Sequence, residues 1–127
     1  MRTAIIYCSK TGNTKKVAEY IASKIGAEII TADASVDASR YDKVIIGTGV
    51  FAGKLPKAMN EFIDANKGKL SDASLFVTCL YKGDKGAAQL ERLAGLVGVS
   101  DAIFFNKVKD QIAKEDSKLN EYIRTLM

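Results

Sequence analysis

Apolar residues along this chain alternate between short unbroken runs and longer stripes at helical spacing. Residues 4–8 are apolar without alternation, the pattern of a strand buried on both faces. Val17, Ala18, Ile21, Ala22 and Ile25 then form one helical stripe, stopped by Gly26. A short second strand is expected at residues 28–31 and a third, buried one at 43–47. Between them, residues 33–40 are small and polar, so this crossover should be a turn or two of helix at most. Leu55, Ala58, Met59, Phe62 and Ile63 share the face of the next helix, with Pro56 in its first turn, where a missing N–H costs nothing. A fourth strand follows at residues 73–79, then a helical face of Ala87, Leu90, Leu93, Ala94 and Val97, ended by Gly98. Residues 102–105 form a fifth strand, and a last helix carrying Leu119, Tyr122, Ile123 and Leu126 starts somewhere from residue 110 to residue 116. Such alternation predicts an α/β fold, a parallel sheet covered by helices on both faces.

The stretch Ser9-Lys10-Thr11-Gly12-Asn13-Thr14 joins the first strand to the first helix. Three hydroxyls, a glycine able to take φ > 0 and an asparagine that tolerates it let backbone N–H groups converge on an anion. Thr14 is expected to cap the helix, whose positive end would favour a phosphate. The same letters also suit an ordinary tight turn that binds nothing. The stretch lacks the spacing of a Walker loop, and Cys8 begins no phosphatase loop, because the sixth residue after it is Thr14 rather than arginine.

With right-handed crossovers and an anion loop after the first strand, the expected strand order is 2-1-3-4-5, with the ligand at the carboxyl ends where the order reverses. The loops after strands one, three and four meet there: residues 9–14, 48–53 and 80–84. Gly47-x-Gly49-x-x-Ala52 matches a dinucleotide fingerprint by letter, but Pro56 starts the helix several residues too late and the strand is third rather than first. A phosphorylated receiver is excluded as well, since Cys8 and Ser9 stand where it needs an acidic residue.

The 127 residues fit one domain, and 47% apolar with 27% charged content is ordinary for a globular protein. No apolar run approaches the ~20 residues of a membrane helix, and the N-terminus enters strand pattern without a signal shape, so a cytoplasmic protein is expected. Cys8 and Cys79 have no metal-ligand spacing and no histidine to help them. Ending parallel strands with a third between, they would lie about 9–10 Å apart, beyond disulfide reach, as small core residues. A net charge of +4 raises the question of nucleic acid, but the lysines are dispersed without an aromatic-interleaved basic motif.

The hexad from Ser9 to Thr14 and the segment Gly47-Thr48-Gly49-Val50-Phe51-Ala52-Gly53 together resemble the flavodoxin family, and the resemblance covers nearly the whole chain. It implies a flavodoxin-like three-layer sandwich binding FMN non-covalently. The first loop would hold the phosphate through Ser9, Lys10, Thr11, Gly12, Asn13 and Thr14. Thr48, Gly49, Val50, Phe51, Ala52 and Gly53, with Cys79, Leu80, Tyr81, Gly83 and Asp84, would surround the isoalloxazine ring. Phe51 falls where the family covers the inner ring face, Tyr81 in the loop covering the other, and the Ala52-Gly53 peptide where the backbone flips toward flavin N5 on reduction. A flat, polar-edged tricycle does need apolar faces and backbone donors and acceptors along its edge, and glycine makes a peptide flip cheap. For Phe51 and Gly53 the plain alternatives are loop-to-core packing and a turn glycine.

Two departures from the family stand out. The second crossover is trimmed and nothing interrupts the fifth strand, and the chain is basic where flavodoxins are commonly acidic. Lys10, Lys54, Lys57, Lys82 and Lys85 would lie on or beside the flavin loops. At ~10 Å through water each charge is worth about 0.4 kcal/mol, on the order of 20 mV for a one-electron couple. Such a rim should favour the anionic reduced flavin and an acidic redox partner or an anionic substrate. The segment 47–63 is also similar to the subgroup containing menaquinone-dependent protoporphyrinogen dehydrogenase, whose later insertion is missing here. The resemblance thus implies an electron carrier between redox proteins, with no catalytic side chain of its own. A flavin-dependent oxidoreductase acting on a quinone or porphyrinogen-like molecule, and an interaction module that has lost the cofactor, remain open.

Overall fold

The computed structural model describes residues 2–9, 12–50, 54–78, 83–105 and 107–126. Strand β1 (Thr3–Cys8) leads into helix α1 (Asn13–Ile25), then β2 (Glu28–Thr31), a single 3-10 turn (Ala38–Arg40) and β3 (Lys43–Gly49). Helix α2 (Lys57–Ala65), β4 (Ser74–Thr78), α3 (Gly83–Val97) and β5 (Asp101–Phe105) follow, with α4 (Val108–Ala113) and α5 (Lys118–Leu126) closing the chain. All strand pairs are parallel, as the alternating pattern predicts, and the sheet order is β2-β1-β3-β4-β5, as expected from right-handed crossovers and an anion loop after the first strand.

Side chains alternate across the sheet and so divide the core in two. Ala4, Ile6, Val44, Ile46, Leu75 and Val77 point to the face covered by α2 and α3, where Met59, Phe62 and Leu93 are fully buried. Ile5, Ile45, Phe76 and Phe105 point to the other face, under Val17 and Ile21 of α1 and Leu119 and Ile123 of α5. The trimmed crossover leaves the 3-10 turn little to bury beyond Ala38. Asn66, the buried residue that ends α2, compensates: its Oδ1 accepts from Ala38 N, and its Nδ2 donates to Val36 O and Phe62 O, each at 2.8 Å.

Several boundaries differ from the pattern. Strand β3 runs on through Thr48 and Gly49, which are strand residues rather than loop. Pro56 stands just before α2, as its cap. The single last helix expected to begin between residues 110 and 116 is instead two helices. Ser117 separates them: its hydroxyl donates to Gln111 O at 2.6 Å and accepts from Asn120 N at 3.2 Å, while Gln111 Oε1 accepts from Leu119 N at 3.1 Å. Among the described residues no helix is long and apolar enough to cross a membrane.

Candidate functional site

The order of β1 and β3 puts the reversal point of the sheet between them, and their register pairs Cys8 with Thr48 at the carboxyl ends. From this edge the chain turns into α1. Gly12 sits at φ 90°, with open space where a Cβ would stand, and its N–H donates to Ser9 Oγ at 3.0 Å. A left-handed glycine therefore starts the helix without a side-chain cap. The expected cap, Thr14, is not one. It is the second residue of α1, buried to 1% exposure, and its hydroxyl bonds the Thr78 hydroxyl at 2.8 Å. The reason is positional, because Gly12 already makes the turn and Thr14 faces inward over the sheet.

This bond crosses a whole strand. Thr78 ends β4, Gly49 is its register partner on β3, and α1 lies above that face. A Cβ on Gly49 would stand 3.4 Å from Thr14 Oγ1 and 3.7 Å from Thr78 Oγ1, in ordinary contact with both. Two residues earlier the arrangement repeats with a tighter fit, since a Cβ on Gly47 would come within 2.2 Å of the Phe76 ring. Gly47 and Gly49 thus serve cross-strand packing against Phe76 and Thr78, which removes the physical basis of a dinucleotide fingerprint here.

The first-turn amides of Asn13, Thr14 and Lys15 have no acceptor within the helix, and no acidic residue occupies that turn. Together with the positive end of α1 they make an anion-receptive surface. Asn13 is exposed at its edge. Thr48 is fully buried, with its hydroxyl on Gly49 O at 2.9 Å, and Val50 packs beside the α2–α3 side of the core. Gly83 and Asp84, expected in a loop, are the opening residues of α3. Lys10, Thr11, Phe51, Ala52, Gly53, Cys79, Leu80, Tyr81 and Lys82 lie outside the described residues. Of the basic rim, Lys54 and Lys85 are exposed, whereas Lys57 has its Nζ 3.9 Å from Glu61 Oε1.

The structure thus brings Ser9, Gly12, Thr14 and Gly49 to one place and adds Thr78, which sequence reasoning missed. The signal was a threonine closing the strand beside the reversal point, opposite a glycine.

The family model for the flavodoxin domain matches residues 4–120. The chain belongs to the flavodoxin family. Solved structures align with this flavodoxin domain at low identity. Oxidised flavodoxin 2 from Bacillus cereus is 19% identical, covering 99% of this chain and 94% of that one, with a TM-score of 0.65. General stress protein 14 from Treponema denticola, solved in complex with FMN, is 10% identical over all of both chains, with a TM-score of 0.64. A flavoprotein from Lactobacillus acidophilus, also in complex with FMN, is 19% identical over 89% of this chain and 99% of that one, at 0.61. Identities this low establish a shared fold. A comparison with curated proteins gave no match.

Proposed function

We propose that this flavodoxin-domain protein binds FMN at the carboxyl end of the sheet and passes electrons between protein partners. The observation that carries the reading is the turn at Gly12, which delivers the first-turn amides of α1, without acceptors inside the helix, to the reversal point beside Gly49. A phosphate monoester fits that turn in charge and in donor supply, because nothing acidic competes with it in the first turn of α1. The FMN complexes of the Lactobacillus and Treponema proteins, which share the fold, support the choice of flavin. When bound, the flavin supplies the redox chemistry. The chain's own residues orient the phosphate through the α1 amides, and the β3 and β4 ends would border the ring.

An acidic redox protein is the proposed partner, in a cytoplasmic setting, and exposed Lys54 and Lys85 support it. Through water each contributes little alone, so the pair would act mainly on encounter rate. Lys57, with Glu61 3.9 Å away, has an opposite charge beside it.

The test is a visible spectrum of the purified protein with added FMN, followed by stepwise anaerobic reduction. Shifted flavin bands and two resolved one-electron stages are expected. Reduction straight to the two-electron level, with turnover of small quinones and no second protein, would favour an oxidoreductase. No binding at micromolar FMN would leave an interaction module.

A further inference from the structure

Resting on the FMN reading, we infer that Thr78 is a positioning residue for the phosphate, acting through Thr14. Thr14 and Thr78 are 1% and 8% exposed, and their hydroxyls are 2.8 Å apart. Each hydroxyl carries one proton, and the bond between them consumes only one. The second proton is left for an acceptor outside the pair. Thr14 stands in the first turn of α1, among the amides that have no acceptor inside the helix, so its hydroxyl is held within that turn by a partner on a different layer of the fold.

The sheet makes the arrangement specific. Thr78 reaches Thr14 past Gly49, its register partner, where a Cβ would stand in ordinary contact with both hydroxyls. The strand end is in turn fixed by its register with Gly49 on one side and Phe105 on the other. Thr78 thereby ties the turn that would grip the phosphate to the strand from which the chain enters the last ring-side loop. A Thr14 hydroxyl left without this partner samples other rotamers and loses the orientation the bond gives it. The loss would fall on the phosphate and spare the ring.

Riboflavin, which carries the same ring without the phosphate, separates the two effects. Thr78→Val keeps the shape and removes the hydroxyl. Its FMN dissociation constant should rise about tenfold, the scale of one hydrogen bond to a charged group, with riboflavin binding unchanged within about twofold. Thr78→Ser should restore the wild-type preference for FMN over riboflavin, which a merely structural role would not require. Should Thr78→Val fail to fold, Thr78→Ala is read in the same way. Equal weakening of both flavins, or an unchanged FMN preference in the variants, would overturn the inference alone. A wild type that binds neither flavin would overturn the FMN reading and the inference with it.

Discussion

At the amino end of β4 the Ser74 hydroxyl donates to Asp101 Oδ2 at 2.8 Å and accepts from the buried Tyr122 hydroxyl of α5. At the carboxyl end of the same strand, Thr78 meets Thr14 of α1. Both are buried hydroxyl pairs joining the central sheet to a helix of the same layer, yet their surroundings differ. At the amino end each proton has a protein acceptor, and nearby Asn66 likewise spends its amide on three backbone groups. At the carboxyl end the neighbours among the described residues are Gly49 and the first-turn amides of α1, and the bond within the pair uses one of its two protons. The same chemistry closes one end of the sheet and leaves the other receptive.

The largest effect belongs to the closed end. Tyr122→Ala removes a buried ring that packs 5.8 Å from Phe105, and should cost about 3–5 kcal/mol in denaturant unfolding. FMN preference, measured where the variant is folded, should not move. Asn66→Ala comes next, at about 2–3 kcal/mol, because the buried Ala38 N–H is left without its acceptor. A smaller loss would mean that the 3-10 turn finds another anchor and that the trimmed crossover is not pinned there.

Tyr122→Phe is milder, about 1 kcal/mol, since the ring stays and Ser74 keeps Asp101. It also carries a pH signature. Burial, reinforced by the charge of Asp101 and opposed by the Ser74 bond, pushes the Tyr122 hydroxyl well above its ordinary value. A raised folded-state pKa contributes stability that is present below the unfolded value, about 10, and is lost as pH rises above it. The wild type should therefore lose stability faster than Tyr122→Phe in chemical unfolding above that pH. Parallel curves for the two proteins would contradict the burial argument.

Gly49→Ala should be smallest in stability, under about 1 kcal/mol, because the added methyl meets the two hydroxyls at ordinary contact distance. Its effect should appear in FMN binding instead. A variant that loses stability without losing FMN would erase the distinction between the two ends of β4.

Much of this was legible in the sequence. Unbroken apolar runs and helical stripes specify the layers, and right-handed crossovers with the anion loop after the first strand specify the strand order. Gly12 was legible because a glycine between strand and helix suits the positive φ it takes there. The role of Thr14 was not, because capping is a local property, whereas its bond to Thr78 spans 64 residues. Ser117 hid the break between α4 and α5 for a related reason: its partner, Gln111, lies on the preceding helix. Gly47 and Gly49 read as a loop motif in one dimension and as cross-strand clearances in three.

The most direct test of the receptive end is an amide NMR titration of the full chain with FMN. The expected result is strong perturbation at Gly12, Asn13, Thr14 and Gly49, with the signals of Ser74, Asp101 and Tyr122 unmoved. Perturbation centred on the amino end, or on the groove lined by Tyr20, Lys24, Ile112 and Arg124 between α1 and the last two helices, would contradict it.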